Sequence, residues 1–364
     1  MSSALLSNPR NDTLKVLIFG AGAIGTYIGG SLALAGHSVV FLERGRDAKV
    51  DELRARGLRL DLTADRRRMT KDASVVGPRS FVIVPSLEDA LRYGPFDLAL
   101  FALKSYDTHA ALEGLNPFAD KMPPILCLSN GISNEQAIAE VLGKEKVIYG
   151  TVTTAIGKRG AGDVVLERLR GVGIAKGHAL SEKVNDAFNK ALLNSQLLDD
   201  AASMKWSKML TNLLANPASA ILDMTAGEIF ANKDLYKMEI TMLKECLAVM
   251  KAQGIKVVDL PGTPVRALAF ATKLPLWFSK PFLSRAAGAG RGNKMPSFHI
   301  DLYSGRGKSE VDYLHGEVAR AGVKFNLPTP VNKVLTETLL ALANKEIPLE
   351  EFVRMPEKLL EKFS

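Results

Sequence analysis

The sequence predicts an N-terminal α/β domain with a doubly wound parallel sheet, followed by an all-α C-terminal domain. Three observations predict it. Up to Tyr149, short apolar runs alternate with helical patterns, as in a sheet covered by helices on both faces. A glycine-rich turn separates the first apolar run from the first helical pattern. From about Ser181 to the end, one helical pattern follows another.

The first run, Val16 to Phe19, is wholly apolar, as a strand buried on both faces is. Gly20, Gly22 and Gly25 follow in G-x-G-x-x-G spacing, with Ala21, Ala23 and Ile24 between them. Ile24, Ile28 and Leu32 then mark a helix, and Ser38 to Leu42 a second strand. In a dinucleotide turn, Gly20 makes the tight bend, Gly22 lets a pyrophosphate approach the backbone, and Gly25 lets helix and strand pack closely. The helix N-terminus faces the anion. A tight turn that binds nothing is the bland alternative. The ordered succession of strand, glycines, helix and second strand favours the nucleotide and a Rossmann-type domain.

The end of the second strand bears on the cofactor. Glu43 suits a ribose 2′-hydroxyl and hence NAD, whereas Arg44 and Arg46 suit a 2′-phosphate and hence NADP. Two arginines against one carboxylate favour NADP.

Further strands are expected at Phe81–Val84, Leu98–Leu103, Ile125–Ser129 and Val147–Tyr149. The stretch TVTTAIGKRGAGDVVLERLRGVGIAKG has the glycine-punctuated alternation of antiparallel edge strands. A boundary near Leu193–Asp199 divides the chain into a nucleotide domain, 13–195, and a helical domain, 196–364. RAAGAGRG, from Arg285, reads as a flexible loop.

Composition narrows the function classes. A chain of 364 residues suits two domains. Two cysteines, Cys127 and Cys246, form no disulfide framework; they fit a reducing cytoplasm and read as buried structural thiols. MSSALLSNPRNDT lacks the apolar core of a signal peptide, and no uncharged apolar stretch is long enough to span a membrane. The net charge of +8 is spread along the chain without an aromatic-basic platform, so no nucleic-acid partner is expected. A positive cleft would suit a polyanionic cofactor and an acidic substrate. Arg66 to Arg68 reads as an exposed turn. The five histidines are scattered and no cluster has metal-ligand spacing, so no metal is expected.

Ligands of doubly wound sheets bind beyond the carboxyl ends of the strands. Lys104 follows one such end, and Asn130–Gly131 another, with Asn134 placed to cap the next helix. In the helical half, MKWSKMLTNLLANPASAIL puts Lys208, Asn212 and Asn216 at i, i+4 and i+8, on one face of a helix that Pro217 breaks or kinks after Asn216. The solvated face of an amphipathic helix has the same spacing. Ser309 is placed to cap a later helix, with Asp312 as a weak capping-box partner and Glu310 as a first-turn carboxylate.

The motifs GAGAIG, LKSYD, SNGISNE, GTVTTA, WSKMLTNLLANPASA, SEVDYLHG and LPTPVN occur in that order. With them the chain resembles the ketopantoate reductase (2-dehydropantoate 2-reductase) family from about Lys15 to Leu342. The resemblance implies NADPH-dependent reduction of a small 2-oxo acid in a cleft between a Rossmann domain and a helical domain. It implies Lys208, two residues after Trp206, as general acid, and Asn212 and Asn216 as ligands of substrate hydroxyl and carbonyl groups. Lys104 and Asn130 would contact cofactor and substrate, Ser297 the substrate carboxylate, and Glu310 the catalytic lysine and substrate. Family analogy also suggests a homodimer through the helical domain. The chemistry suits these types: hydride addition builds charge on the carbonyl oxygen, and an ammonium stabilises it and donates a proton.

Some positions depart from the family pattern. Ala226 stands where many relatives have asparagine, Asn293 lies one residue farther from Ser297, and the link from Asp301 to Glu310 is one residue longer. The segment from about Ile255 to Gly292 is also longer. These changes keep open a different 2-oxo acid, or opine-type chemistry, on the same scaffold.

Overall fold

The computed structural model describes residues 13–43, 47–69, 71–288, 295–305 and 307–363. The chain falls into two compact units. One comprises Met1–Leu103, His109–Ser129 and Glu135–Asp199; the other comprises Lys104–Thr108, Asn130–Asn134 and Asp200–Ser364.

The α/β part runs β1 (Lys15–Phe19), α1 (Ala23–Leu34), β2 (Ser38–Leu42), α2 (Asp47–Arg56), β3 (Leu58–Asp61), β4 (Ser74–Val76), β5 (Val82–Val84), α3 (Leu87–Leu91), β6 (Leu98–Phe101), α4 (Thr108–Leu115), β7 (Ile125–Cys127), α5 (Asn134–Leu142), β8 (Val147–Val152), β9 (Ala155–Gly160), β10 (Asp163–Arg168), β11 (Val172–Ala175), α6 (Ser181–Lys190) and β12 (Ser195–Leu198). Among the described residues the larger sheet has the order β12-β11-β8-β7-β6-β1-β2-β5. β5, β2, β1, β6, β7 and β8 are parallel, and β11 runs antiparallel to β8. Strand order reverses between β1 and β6, the switch point at which such sheets take ligands.

β1 shows why its sequence has no polar side. Val16 and Ile18 enter one core, with Ile28 and Phe41, while Leu17 and Phe19 enter another, with Val40 and Phe101. Alternate side chains leave opposite faces of a strand, and here both faces are dry.

Three features depart from the sequence reading. Ser195–Leu198, where only helices were expected beyond Ser181, forms the parallel edge strand β12 beside β11. β3 and β4, not expected, join the hairpin β9–β10 in a second sheet, β4-β3-β10-β9; β3 is four residues with two charges and β4 only three residues, too short to carry a strand signal. Arg66–Arg68 is more than an exposed turn. Arg67 pairs with buried Asp65 and donates to the Leu192 carbonyl at 2.6 Å, and Arg68 donates to the Ala191 carbonyl at 2.7 Å. The run therefore ties this turn to the end of α6.

The second unit contains α7 (Ala201–Leu213), α8 (Asn216–Leu222), α9 (Ala226–Ala231), α10 (Lys233–Ala252), α11 (Val265–Ala271), α12 (Leu276–Gly288), α13 (Ser297–Tyr303), α14 (Glu317–Lys324), α15 (Pro330–Ala343) and α16 (Pro356–Glu361). α10 is its central helix. It buries Met242, Leu243, Cys246 and Val249; burial, with the neighbouring Glu245 carboxylate adding to it, pushes the Cys246 thiol far up, as for an inert core cysteine. In the long segment, α12 carries Pro281 and is anchored by Ser279, 2.7 Å from the Tyr236 hydroxyl, while Trp277 and Phe278 are exposed. Among the described residues no helix is long and apolar enough to cross a membrane.

Candidate active site

The glycine turn belongs to the α/β unit. Gly20 has φ +91°, which a side chain disfavours. A Cβ on Gly25 would overlap the Gly20 carbonyl oxygen, so helix and turn meet there without room for alanine. At Gly22 a Cβ would meet nothing within 4 Å, leaving its backbone open to an approaching group. Gly22 is also the N-cap of α1 and makes no side-chain capping bond. Open backbone at an uncapped helix start is what a pyrophosphate needs, so Gly20, Ala21, Gly22, Ala23, Ile24 and Gly25 fit a dinucleotide.

Glu43 does not stand clear at the strand end. It is 7% exposed, and its Oε2 accepts the Ala21 N–H at 2.5 Å. One carboxylate oxygen therefore supports the glycine turn itself. Arg44 and Arg46, the expected readers of a 2′-phosphate, lie outside the described residues.

The helical unit gathers the other candidates. Asp200 caps α7 through the Ser203 N–H at 2.7 Å and so sets the helix that bears Lys208. Half-buried Lys208 donates through Nζ to Asn212 Oδ1 at 2.9 Å, and Asn212 Nδ2 donates to Asn130 Oδ1 at 3.0 Å. The Asn130 carbonyl accepts from Asn134 Nδ2 at 2.6 Å and from Ser105 Oγ at 2.8 Å. Asn134 thus ties the two loops together, accepting also from Thr108 Oγ1, and does not serve as the cap expected of it.

The structure breaks the expected single helix earlier than Pro217. α7 ends at Leu213, and Asn216 opens α8, with Pro217 in its first turn, where a missing N–H costs nothing. Asn216 Nδ2 turns back to the Asn212 carbonyl at 3.0 Å and lies 3.3 Å from Ser297 Oγ, while its Oδ1 accepts the Phe298 N–H at 3.0 Å. Asn212, Asn216 and Ser297 are therefore neighbours.

Glu310 is not an exposed first-turn carboxylate, and Asp312 forms no capping box with Ser309. Glu310 is 1% exposed; Oε2 meets Lys104 Nζ at 2.9 Å and Oε1 accepts the Ser105 N–H at 3.1 Å. Asp312 pairs with Arg320 at 2.7 Å and opens a π-type turn, Asp312–Gly316, that leads into α14. Lys104 also meets Asp301 Oδ2 at 2.7 Å. Burial pulls the Lys104 ammonium down, but the Glu310 and Asp301 carboxylates overcome that and hold it above the usual lysine range. Ser105 and Asp301 went unassigned in the sequence reading, although LKSYD contains the first. Nothing in local periodicity joins residues some two hundred positions apart. His299 is packed, its Nε2 2.7 Å from Asp223 and its ring stacked on Tyr303.

A cation, three carboxamides and a serine hydroxyl on one hydrogen-bonded network can orient a small oxygen-rich anion and deliver a proton to it. Residues 16–177 match the family model described as ketopantoate reductase PanE/ApbA, and residues 200–343 match its C-terminal model. A 2-dehydropantoate 2-reductase of Pyrococcus horikoshii is 28% identical over 328 residues, covering 88% of this chain and 95% of the relative. One from Streptococcus pyogenes serotype M6 is 25% identical over 335 residues, covering 90% and 97%. Among solved structures, a PanE/ApbA family ketopantoate reductase from Ralstonia eutropha JMP134 superposes with TM-score 0.74 at 26% identity, covering 92% of this chain and 99% of that one. A D-mandelate dehydrogenase in complex with NADH, at TM-score 0.72, 22% identity and coverage of 91% and 99%, shares the fold.

Proposed function

Because the chain belongs to the ketopantoate reductase family of oxidoreductases, we propose that it reduces 2-dehydropantoate to pantoate with NADPH, in the cytoplasm, on the way to pantothenate and coenzyme A. The observation that carries this reading is the chain Lys208–Asn212–Asn130 with Asn216 and Ser297 beside it.

A nicotinamide dinucleotide supplies the hydride when bound. Lys208 then stabilises the oxygen that gains charge and gives it a proton. Asn212 keeps the Lys208 ammonium in place through its carboxamide oxygen. Ser297 offers a hydroxyl to the substrate carboxylate, and the Asn216 amide steadies that hydroxyl. Glu310 and Asp301 hold Lys104, a second cation for an anionic substrate or cofactor.

The choice of NADPH rests on Arg44 and Arg46 in the sequence and on Glu43, which commits one oxygen to Ala21 and so is less suited to a ribose. Arg44→Ala should raise KM for NADPH far more than for NADH, because a charge-assisted partner of the 2′-phosphate is lost. Equal effects on both would refute it. By family analogy the working form is a homodimer, which light scattering reads directly.

The second reading, another 2-oxo acid, is favoured by one observation: Ala226 is 4% exposed in the first turn of α9 and offers no polar side chain at a position where the family resemblance implies asparagine in many members. Initial rates with ketopantoate, pyruvate, 2-oxobutyrate and 2-oxoisovalerate separate the two. A site built to bond the distal hydroxyl rejects analogues that lack it, because its own groups go unpaired. If 2-oxoisovalerate equals ketopantoate in kcat/KM, the second reading replaces the first.

A further inference from the structure

We propose that Glu239 is a positioning residue of the substrate site: from the interior of α10 it holds the chain break that folds Asn216 back toward Asn212. This deepens the functional reading above and rests on Asn216 as a substrate ligand.

The break lies at Leu214–Ala215, between α7 and α8. Ala215 has φ +55°, the left-handed region, which a residue with a Cβ disfavours. It is 0% exposed, so its N–H cannot turn to water. Glu239 Oε2 accepts that N–H at 2.8 Å from 24 residues away, and Glu239 is itself 0% exposed. Burying a carboxylate is costly unless it is well bonded. Without it, the Ala215 N–H would be a buried, unpaired donor in a disfavoured conformation.

The residue after Ala215 is Asn216. In an unbroken helix the Asn212 carbonyl would accept the Asn216 backbone N–H. Here it accepts the Asn216 side-chain amide, and this places that amide 3.3 Å from Ser297 Oγ. The geometry at Ala215 thus decides whether Asn216 meets Ser297.

α10 provides its own control. Glu245, 7% exposed and on the same helix, accepts the N–H groups of Val331 and Asn332 at 2.9 and 3.0 Å, at the start of α15. The two glutamates do the same structural work, but the start of α15 carries none of the candidate site residues.

The experiment measures kcat and KM of the full-length protein with ketopantoate and NADPH. Glu239→Gln should keep the oxo-acid KM within about threefold, because a carboxamide oxygen still accepts the N–H. Glu239→Ala should raise it about tenfold or more and leave the NADPH KM unchanged. Glu245→Ala should lower Tm and leave both KM values unchanged. A folded Glu239→Ala protein with wild-type KM overturns the proposal, as does an equal rise in Glu245→Ala. If Glu239→Ala does not fold, Glu239→Asp, one methylene too short, takes its place under the same criterion. If the wild type reduces no 2-oxo acid, the functional reading has failed, and amide exchange then judges Glu239. Slow exchange at Ala215 that is lost in Glu239→Asp and kept in Glu239→Gln supports the hold; fast exchange in the wild type overturns it.

Discussion

Lys104 shows how charge is balanced one residue at a time. Its ammonium lies between Asp301 and Glu310, which are 7% and 1% exposed in their side chains, while a third of its own side chain meets solvent. Lys104→Met would leave two buried carboxylates facing each other without a cation. This should cost about 2 kcal/mol, less than for a fully buried pair because of that exposure. Urea denaturation reads it, and adding Glu310→Gln should restore part of the loss. An unchanged midpoint would show the cluster to be inert. At Lys208 the expected effect is on rate. Lys208→Ala should lower kcat by about 10²-fold or more, the lower range of general-acid contributions, with NADPH affinity nearly unchanged. Turnover near the wild-type rate would reduce Lys208 to a half-buried charge. Gly25→Ala has a steric basis: the added methyl meets the Gly20 carbonyl. It should abolish measurable NADPH binding in a fluorescence titration; wild-type affinity would place the nucleotide elsewhere.

Bonded helix ends order the second unit, and those of α7 and α8 carry candidate site residues. Asp200 starts α7, Thr225 and Glu228 form a capping box on α9, and Glu239 and Glu245 hold the starts of α8 and α15 from α10. Each satisfies N–H groups that a helix leaves unbonded. Asp200→Ala should lower stability by about 1 kcal/mol, the usual cost of losing an N-cap, seen as a reduced urea midpoint with unchanged slope. The break between α7 and α8 also explains why a single helical face was the wrong description. Periodicity at i, i+4 and i+8 suits an unbroken helix equally well; it brings Lys208 to Asn212, but it does not fold the Asn216 amide back onto the Asn212 carbonyl and toward Ser297.

Across the whole molecule, buried histidine makes stability depend on pH. His315 is fully buried with Nδ1 3.0 Å from Asn332 Oδ1, and burial pushes its pKa down to about 3. In the unfolded chain a histidine takes a proton near pH 6.5 (about). Between about pH 6.5 and 3 the unfolded state therefore binds more protons, and stability falls as pH drops through that window, by at most about 1.4 kcal/mol per unit. His37, lowered by burial and by Lys190, acts in the same direction. The urea midpoint should be lower at pH 5 than at pH 7.5, and His315→Gln should flatten the difference. A midpoint that does not move over this range would contradict the assignment.

Local sequence determined β1, α1 and β2 and the later parallel strands β5 to β8 of the nucleotide half, but not β3, β4 or β12. An all-apolar run, three glycines at fixed spacing and a helical period are each readable within about 30 residues, because backbone sterics and burial on both strand faces act over that distance. Lys104, Asn130, Lys208, Asn212, Asn216, Ser297 and Glu310 were named as candidates through the resemblance to the family, most of them within its ordered motifs. Only the tertiary structure decided what they touch. It gave Glu310 to Lys104 and Ser105, turned Glu43 back onto Ala21, clamped Arg67 and Arg68 to the end of α6, and paired Ser195–Leu198 with β11. Each of these is a hydrogen bond or ion pair between groups far apart in the chain or held by a turn. Such bonds form because burial leaves a polar group no water to bond. Burial is a property of the packed chain, and no window of sequence contains it.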